Sequence, residues 1–132
     1  MIDEILVKTE LFNYREVKPH FINPCCFGED FAAWILQAVQ PLTPEGYKPS
    51  DIGQEDYGWG FSVKKERDEF WVAVSYAPEG EVDEDHPTDA DGEWHILFED
   101  NLTLNPLKKL FHKPDRSAFE RLKNAVQSAI EG

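Results

Sequence analysis

Residues 57–76 read YGWGFSVKKERDEFWVAVSY, and this stretch decides the fold. On both sides of the polar turn at 66–69, large apolar residues alternate with small or polar ones, which is the period-two pattern of a half-buried strand. The two runs therefore predict a β-hairpin. A third run, WHILF at 94–98, alternates in the same way, so residues 57–99 predict an antiparallel meander.

One further strand is predicted near the N-terminus, where residues 5–12 read ILVKTELF. Its β-branched content and partial alternation place Ile5, Val7 and Leu11 on the inward side. Between this strand and the meander, residues 42–56 carry two prolines and two glycines, and such a composition predicts a long connecting loop.

Two segments have the spacing of amphipathic helices, with apolar residues at i, i+3, i+4 and i+7. In the first, at about 29–40, the apolar stripe consists of Phe31, Trp34, Ile35, Ala38 and Val39. In the second, at about 115–131, it consists of Phe119, Leu122, Val126, Ala129 and Ile130. We therefore expect an α+β fold in a single domain of residues 1–132. An antiparallel sheet of about four strands, the meander 57–99 plus the N-terminal strand, packs against these two helices.

Acidic residues outnumber basic ones by 26 to 13, so the formal net charge is −13. A field of this sign repels phosphate, which argues against nucleic acid and anionic membrane surfaces as partners. The longest uninterrupted apolar stretch, 31–36, is far shorter than the roughly 20 residues that span a bilayer. Residues 1–4 also lack the basic start of a signal peptide. These features predict a cytoplasmic protein and leave its oligomeric state open.

Much of the excess charge lies in residues 79–93, which contain eight acids and no base. Charge of one sign speeds the encounter with an oppositely charged protein, so this acidic segment predicts a docking surface for a basic protein partner. A solvated loop whose like charges keep it extended is the simpler alternative. The carboxylates predicted to contact the partner are Glu81, Asp83, Glu84, Asp85, Asp89 and Asp91.

The many carboxylates of the same segment suggest the calcium-binding loop of EF-hands, because hard cations need clustered oxygen ligands. Placing Asp89, Asp91 and Gly92 at the third, fifth and sixth positions puts Pro87 first and Phe98 twelfth. Neither residue can ligate through a carboxylate, so the EF-hand pattern fails. A Ca²⁺ or Mg²⁺ site of another kind stays an alternative, and no metal ligand or cofactor is assigned.

A second candidate site is built from aromatic residues, a histidine and the only two cysteines. Two glycines flank Trp59 and predict either a slot in which a ligand stacks on Tyr57 and Trp59 or a close packing contact within the core. His95 lies between Trp94 and Ile96 in a predicted strand. A histidine that forms one structural hydrogen bond is a simpler interpretation there than a ligand-binding or catalytic histidine. Cys25 and Cys26 are adjacent and lack the spacing of a CxxC motif, so burial of the reduced thiols is the simpler interpretation.

No motif points to a particular reaction. The four histidines form no HxH or HExxH pair, and neither a GxGxxG nor a GxxxxGK[ST] loop occurs. The sequence therefore favours a non-catalytic protein-binding module, similar in surface character to inhibitor or immunity proteins, which uses its acidic 79–93 loop. The alternative is a small-ligand or metal-binding protein, or an enzyme, whose site contains Tyr57, Trp59, His95 and Cys25/Cys26.

Overall fold

The computed structural model describes residues 2–9, 11–12, 18–22, 27–77, 93–100 and 115–132. The strands in this part of the chain are β1 (Ile2–Val7), β2 (Tyr47–Pro49), β3 (Gly53–Gln54), β4 (Trp59–Lys65), β5 (Asp68–Ala77) and β6 (Glu93–Asp100). The helices are α1 (Glu29–Val39), a short 3₁₀ helix (Gln40–Glu45) and α2 (Arg116–Glu131). None of these helices is both long and apolar enough to cross a bilayer.

All six described strands belong to one antiparallel sheet, in the order β1-β6-β5-β4-β2, with β3 also paired to β4. The predicted meander is confirmed: β4, β5 and β6 follow one another in the sheet and in the chain. In the register that joins them, Trp59 lies opposite Val74 and Val74 opposite Ile96, while Ile5 of β1 lies opposite Ile96 on the other side. The α+β class with two α-helices is likewise confirmed.

The prediction of about four strands was too low, and the difference lies in residues 42–56. This segment was expected to be a loop, but it contains part of the 3₁₀ helix and the two short strands β2 and β3. Both pair with β4, Pro49 opposite Val63 and Gly53 opposite Gly60. A strand of two or three residues is too short to show an alternating pattern in the sequence. β2 and β3 form because the edge of β4 offers backbone groups with which they can pair.

The N-terminal strand is shorter than predicted. It ends at Val7, which lies opposite Trp94, so Leu11 is outside the sheet. Leu11 was expected to face inward, but its side chain is 86% exposed. Ile5 is buried and Val7 is half-buried, in agreement with the inward positions assigned to them. The ladder between β1 and β6 thus ends one residue short of Glu93, the first residue of β6.

Both α-helices pack on the same face of the sheet, which we call the inner face. Phe31 of α1 contacts Trp94 of β6, with ring centroids 5.3 Å apart, and Phe119 of α2 contacts Phe70 of β5 at 5.8 Å. The buried stripe of α1 is Phe31, Ala32, Ile35 and Val39, so Trp34 lies at its margin and is half-buried. The helix α2 begins at Asp115, whose carboxylate accepts a hydrogen bond from Ala118 N at 3.1 Å.

Candidate functional site

The opposite side of the sheet, which we call the outer face, carries the alternate residues of every strand. Across β1, β6, β5 and β4 these residues form three rows of direct cross-strand neighbours. The first row is Leu6, His95 and Ser75; the second is Glu4, Leu97, Ala73 and Gly60; the third is Ile2, Glu99, Trp71 and Ser62. No described helix packs on this face, which therefore combines apolar side chains with carboxylates at the protein surface.

An aromatic pair lies at the centre of the site. Trp71 points outward from β5 and is partly exposed, and its indole Nε1 donates a hydrogen bond to the hydroxyl of Tyr57 at 3.0 Å. A Cβ atom at Gly60 would lie 2.7 Å from Cζ2 of Trp71 and 2.7 Å from the carbonyl oxygen of Val72. The edge of the indole therefore lies against Gly60, at a distance that only a glycine permits. The contact with the backbone and the hydrogen bond together hold the ring in one position.

This contact explains the glycines around Trp59. The sequence left two interpretations open, a slot for a ligand and a close packing contact. At Gly60 the space is taken by the indole of Trp71, and at Gly58 an added Cβ would lie 1.9 Å from the carbonyl oxygen of Val74. Both glycines thus permit close packing within the sheet.

Tyr57 and Trp59, which were predicted to bind one ligand together, lie on different sides of the sheet. Trp59 is 5% exposed and belongs to the inner-face core, where Phe21 lies 5.1 Å and His20 6.1 Å from it, centroid to centroid. Tyr57 is 47% exposed and reaches Trp71 on the outer face. Strand alternation would place residues 57 and 59 on one face, but Tyr57 precedes β4 and lies in the bend at 56–58, so this rule does not apply to it.

His95 is on the outer face with both ring nitrogens near carboxylates. Its Nδ1 contacts Oε1 of Glu4 on β1, and its Nε2 lies 3.6 Å from Oε1 of Glu93. The contact with Glu4 joins the edge strand to β6 and agrees with the interpretation of a single hydrogen-bonded histidine. In the described part of the chain, no group of three His, Cys, Asp or Glu side chains is close enough to hold a metal ion.

The six carboxylates predicted to contact a partner, Glu81, Asp83, Glu84, Asp85, Asp89 and Asp91, lie outside the described residues, as do Cys25 and Cys26. The structure does describe where the acidic segment joins the sheet. Ala77 at the end of β5 lies opposite Glu93 at the start of β6. The segment therefore leaves and re-enters the sheet at the end where His95 and Leu6 lie.

Two further carboxylates belong to the outer face. Glu99 is the direct cross-strand neighbour of Trp71, and Glu69 precedes Trp71 by two residues on the same strand. Neither carboxylate forms an ion pair or a hydrogen bond within the described structure. Glu69 has the exposed Lys64 as its direct cross-strand neighbour, whereas the neighbours of Glu99 on either side are Ile2 and Trp71. The charge of Glu99 is therefore the less compensated of the two.

No family model, curated protein or solved structure matches this chain.

Among the cavities whose walls the structure describes, two lie away from the outer face. The larger, of about 370 Å³, has mostly apolar walls from the end of β1, from α1 and from the C-terminal turn of α2, among them Val7, Phe12, Phe31, Trp34 and Ile130. The smaller, of about 210 Å³, lies at the start of α1 next to Glu29, which contacts His20 Nε2 at 2.6 Å. Neither cavity contains Tyr57, Trp59 or His95 among its described walls.

Sequence reasoning did not single out Trp71 or Glu99 as site residues. The alternation along 70–76 already placed Trp71 on the side opposite Phe70 and Val72. A tryptophan at an outward strand position is a usable signal, because large aromatic side chains usually bury most of their surface. Glu99 carried no such signal, since its position next to Trp71 depends on the register between β5 and β6.

Proposed function

We propose that this protein is a non-catalytic binding module that recognises a basic protein partner through the outer face and the adjoining acidic segment. The observation that carries the proposal is the distribution of exposed apolar residues. Five large apolar side chains are exposed among the described residues, and three of them, Ile2, Leu6 and Tyr57, lie on or beside the outer face. Exposed apolar residues gathered on one face are typical of protein-binding surfaces.

Electrostatics determines the kind of partner. The outer face carries Glu4, Glu69, Glu93 and Glu99, and the acidic segment that leaves the sheet beside Glu93 adds further carboxylates. The net charge of −13 gives the whole molecule a field of the same sign. Such a field accelerates association with a positively charged protein, while the apolar anchors supply affinity once the surfaces are in contact.

The test compares two pairs of matched substitutions. Ile2→Ser/Leu6→Ser removes apolar anchors from the outer face, and Ile22→Ser/Leu11→Ser makes the same changes at exposed residues elsewhere. A protein retained from source-cell extract at low salt is displaced with excess free protein, purified and titrated by calorimetry against each variant at several salt concentrations. We expect the outer-face pair to weaken binding at least about tenfold and the control pair to change it less than about twofold.

Equal weakening by the two pairs would contradict the proposed surface. An affinity that does not depend on salt would contradict the basic character of the partner, because charge pairing at an exposed interface is screened by ions.

A second candidate function, binding of a small apolar ligand, is favoured by the larger cavity. Its volume of about 370 Å³ lies in the range of small-molecule sites, and its walls are mostly aliphatic and aromatic. The fluorescent probe anilinonaphthalene sulfonate should bind there stoichiometrically. Ile130→Glu should abolish that binding and Ile22→Glu should leave it intact; equal behaviour of the two variants would exclude this function for the cavity.

A further inference from the structure

We infer that Trp71 and Glu99 form a socket for an arginine side chain of the partner. The inference rests on the proposed function and specifies one contact within it. The guanidinium group stacks on the exposed part of the Trp71 indole and donates hydrogen bonds to the carboxylate of Glu99. Three features of the outer face carry the inference: a ring held in position, a neighbouring carboxylate with no ion pair or hydrogen bond among the described residues, and an aliphatic neighbour.

The position of the ring is determined before any partner binds. The indole edge lies against Gly60, and the hydroxyl of Tyr57 accepts the hydrogen bond from Nε1. Side-chain entropy that is already lost in the free protein is not lost again on association. A partly exposed tryptophan held in this way provides a flat surface of negative potential, which attracts cations to the face of the ring.

Glu99 is the direct cross-strand neighbour of Trp71 on the β6 side, while the far end of the indole lies over Gly60 on β4. Direct cross-strand neighbours have Cβ atoms about 5 Å apart, so a guanidinium group that stacks on the part of the ring nearest β6 is within reach of the Glu99 side chain. Glu99 has no ion pair or hydrogen bond in the described structure, and its other neighbour, Ile2, is 70% exposed and apolar. Glu69 fits this role less well, because Lys64 is its direct neighbour and supplies a positive charge of the protein itself.

Arginine fits the socket better than lysine for a geometric reason. The guanidinium group is planar, stacks on aromatic rings and still presents its N–H groups at the edge, where they can form two parallel hydrogen bonds with a carboxylate. An ammonium group is compact and strongly hydrated, so it loses more hydration when it approaches the ring. The aliphatic stem of the arginine packs on Ile2 when it crosses the sheet from the β1 side.

The test uses two tripeptide probes with one cation each, acetyl-Val-Arg-Val-amide and acetyl-Val-Lys-Val-amide. Binding is followed by the indole N–H resonances in ¹H–¹⁵N spectra, with the Trp71 signal assigned from its loss in Trp71→Phe. We expect the arginine probe to shift the Trp71 resonance and to bind more tightly than the lysine probe. Glu99→Gln should lower the affinity for the arginine probe by about three- to tenfold.

The matched control is Glu120→Gln, which removes the same charge from α2 on the other side of the sheet and should leave binding within about twofold. The inference is overturned if the probe does not bind, if it binds without shifting Trp71, if both probes bind equally, or if Glu120→Gln weakens binding as much as Glu99→Gln. None of these outcomes contradicts the basic partner itself, because the capture experiment with the Ile2 and Leu6 variants decides that separately.

Discussion

At the scale of single residues, Gly60 and Trp71 depend on each other. They lie on neighbouring strands, two residues apart in register, and this diagonal places a large ring above a residue without a side chain. Any larger residue at position 60 would meet both the indole and the carbonyl oxygen of Val72. The shape of the outer face thus depends on the absence of a Cβ atom at position 60.

Gly60→Ala should displace the Trp71 ring and break its hydrogen bond to Tyr57. We expect a loss of about 1–3 kcal/mol in the free energy of unfolding, because the methyl group would lie 2.7 Å from ring and backbone atoms. Gly53→Ala is the matched control: Gly53 lies opposite Gly60 in the ladder, and a Cβ there meets nothing within 4 Å. Denaturant titration that gives equal effects at the two positions would contradict the packing role of Gly60.

A second residue-scale prediction concerns Tyr47, which is buried on the inner face. Its hydroxyl donates a hydrogen bond to the carbonyl oxygen of Ala118 in the first turn of α2 at 2.9 Å, and burial raises the pKa of this hydroxyl. Tyr47→Phe should lower the free energy of unfolding by about 1 kcal/mol. The exposed Tyr57 gives the control, since Tyr57→Phe should change stability by less than about 0.5 kcal/mol. An equal loss in both variants would show that the Tyr47 bond contributes nothing specific.

At the scale of elements, two ion pairs attach α2 to the rest of the fold. Arg121 contacts Glu45 at the end of the 3₁₀ helix, at 2.9 and 3.2 Å, and Lys123 contacts Asp3 on the edge strand β1. In both pairs the hydrogen bond to the cation lowers the pKa of the carboxyl. Exposed pairs of this kind contribute little energy, so the apolar contacts of α2 with the sheet hold the helix and the pairs define its orientation.

The Asp3–Lys123 pair predicts a small dependence of stability on pH. The hydrogen bond from Lys123 holds the pKa of Asp3 below its ordinary value of 3.8. Because the folded-state pKa is the lower one, the stabilisation is complete above about pH 3.8 and is lost as pH falls through the folded-state value. In Lys123→Met the pKa of Asp3, followed by the NMR signal of its carboxyl carbon, should rise, and in Lys123→Arg it should stay low. An unchanged pKa in Lys123→Met would contradict the pairing.

At the scale of the whole molecule, the two faces of the sheet have different roles. The inner face and the two α-helices contain the core, which includes the aromatic contacts of Phe31 with Trp94 and of Phe70 with Phe119. The outer face carries exposed apolar residues and carboxylates. A net charge of −13 on a chain of this size creates a long-range electric field. Changing the charges should therefore first affect the rate at which this protein meets the proposed basic partner.

Replacing Glu81, Asp83, Glu84 and Asp85 by their amides tests that effect on the acidic segment. We expect each change to alter the free energy of unfolding by less than about 0.5 kcal/mol, because the segment has little apolar surface to bury. Association with the proposed basic partner should slow, and its dependence on salt should become weaker, since such charges act mainly on the on-rate. A thermal melt and a stopped-flow series at several salt concentrations measure both. A large destabilisation would show that these carboxylates have structural partners.

The sequence by itself determined the parts of this protein that follow from local periodicity. Alternation over 57–76 and 94–98 predicts the meander and, within β4, β5 and β6, the face to which each side chain points, whereas Tyr57 precedes β4 and does not follow this alternation. The helical spacing of apolar residues predicts α1 and α2. The outward orientation of Trp71 is therefore predicted by the sequence alone. These features need only a strand or helix geometry and burial of the apolar side, both of which act over a few residues.

Only the tertiary structure decided which residues meet on the outer face. The pairing of β2 and β3 with β4, the contact of His95 with Glu4 across 91 positions and the placement of Glu99 beside Trp71 all depend on strand register. Register is chosen by the packing of the whole sheet against the helices, and a shift by one residue would exchange the two faces. The local sequence pattern thus predicts which side chains lie on the outer face. Only the pairing of distant strands decides which of them become neighbours in the candidate site.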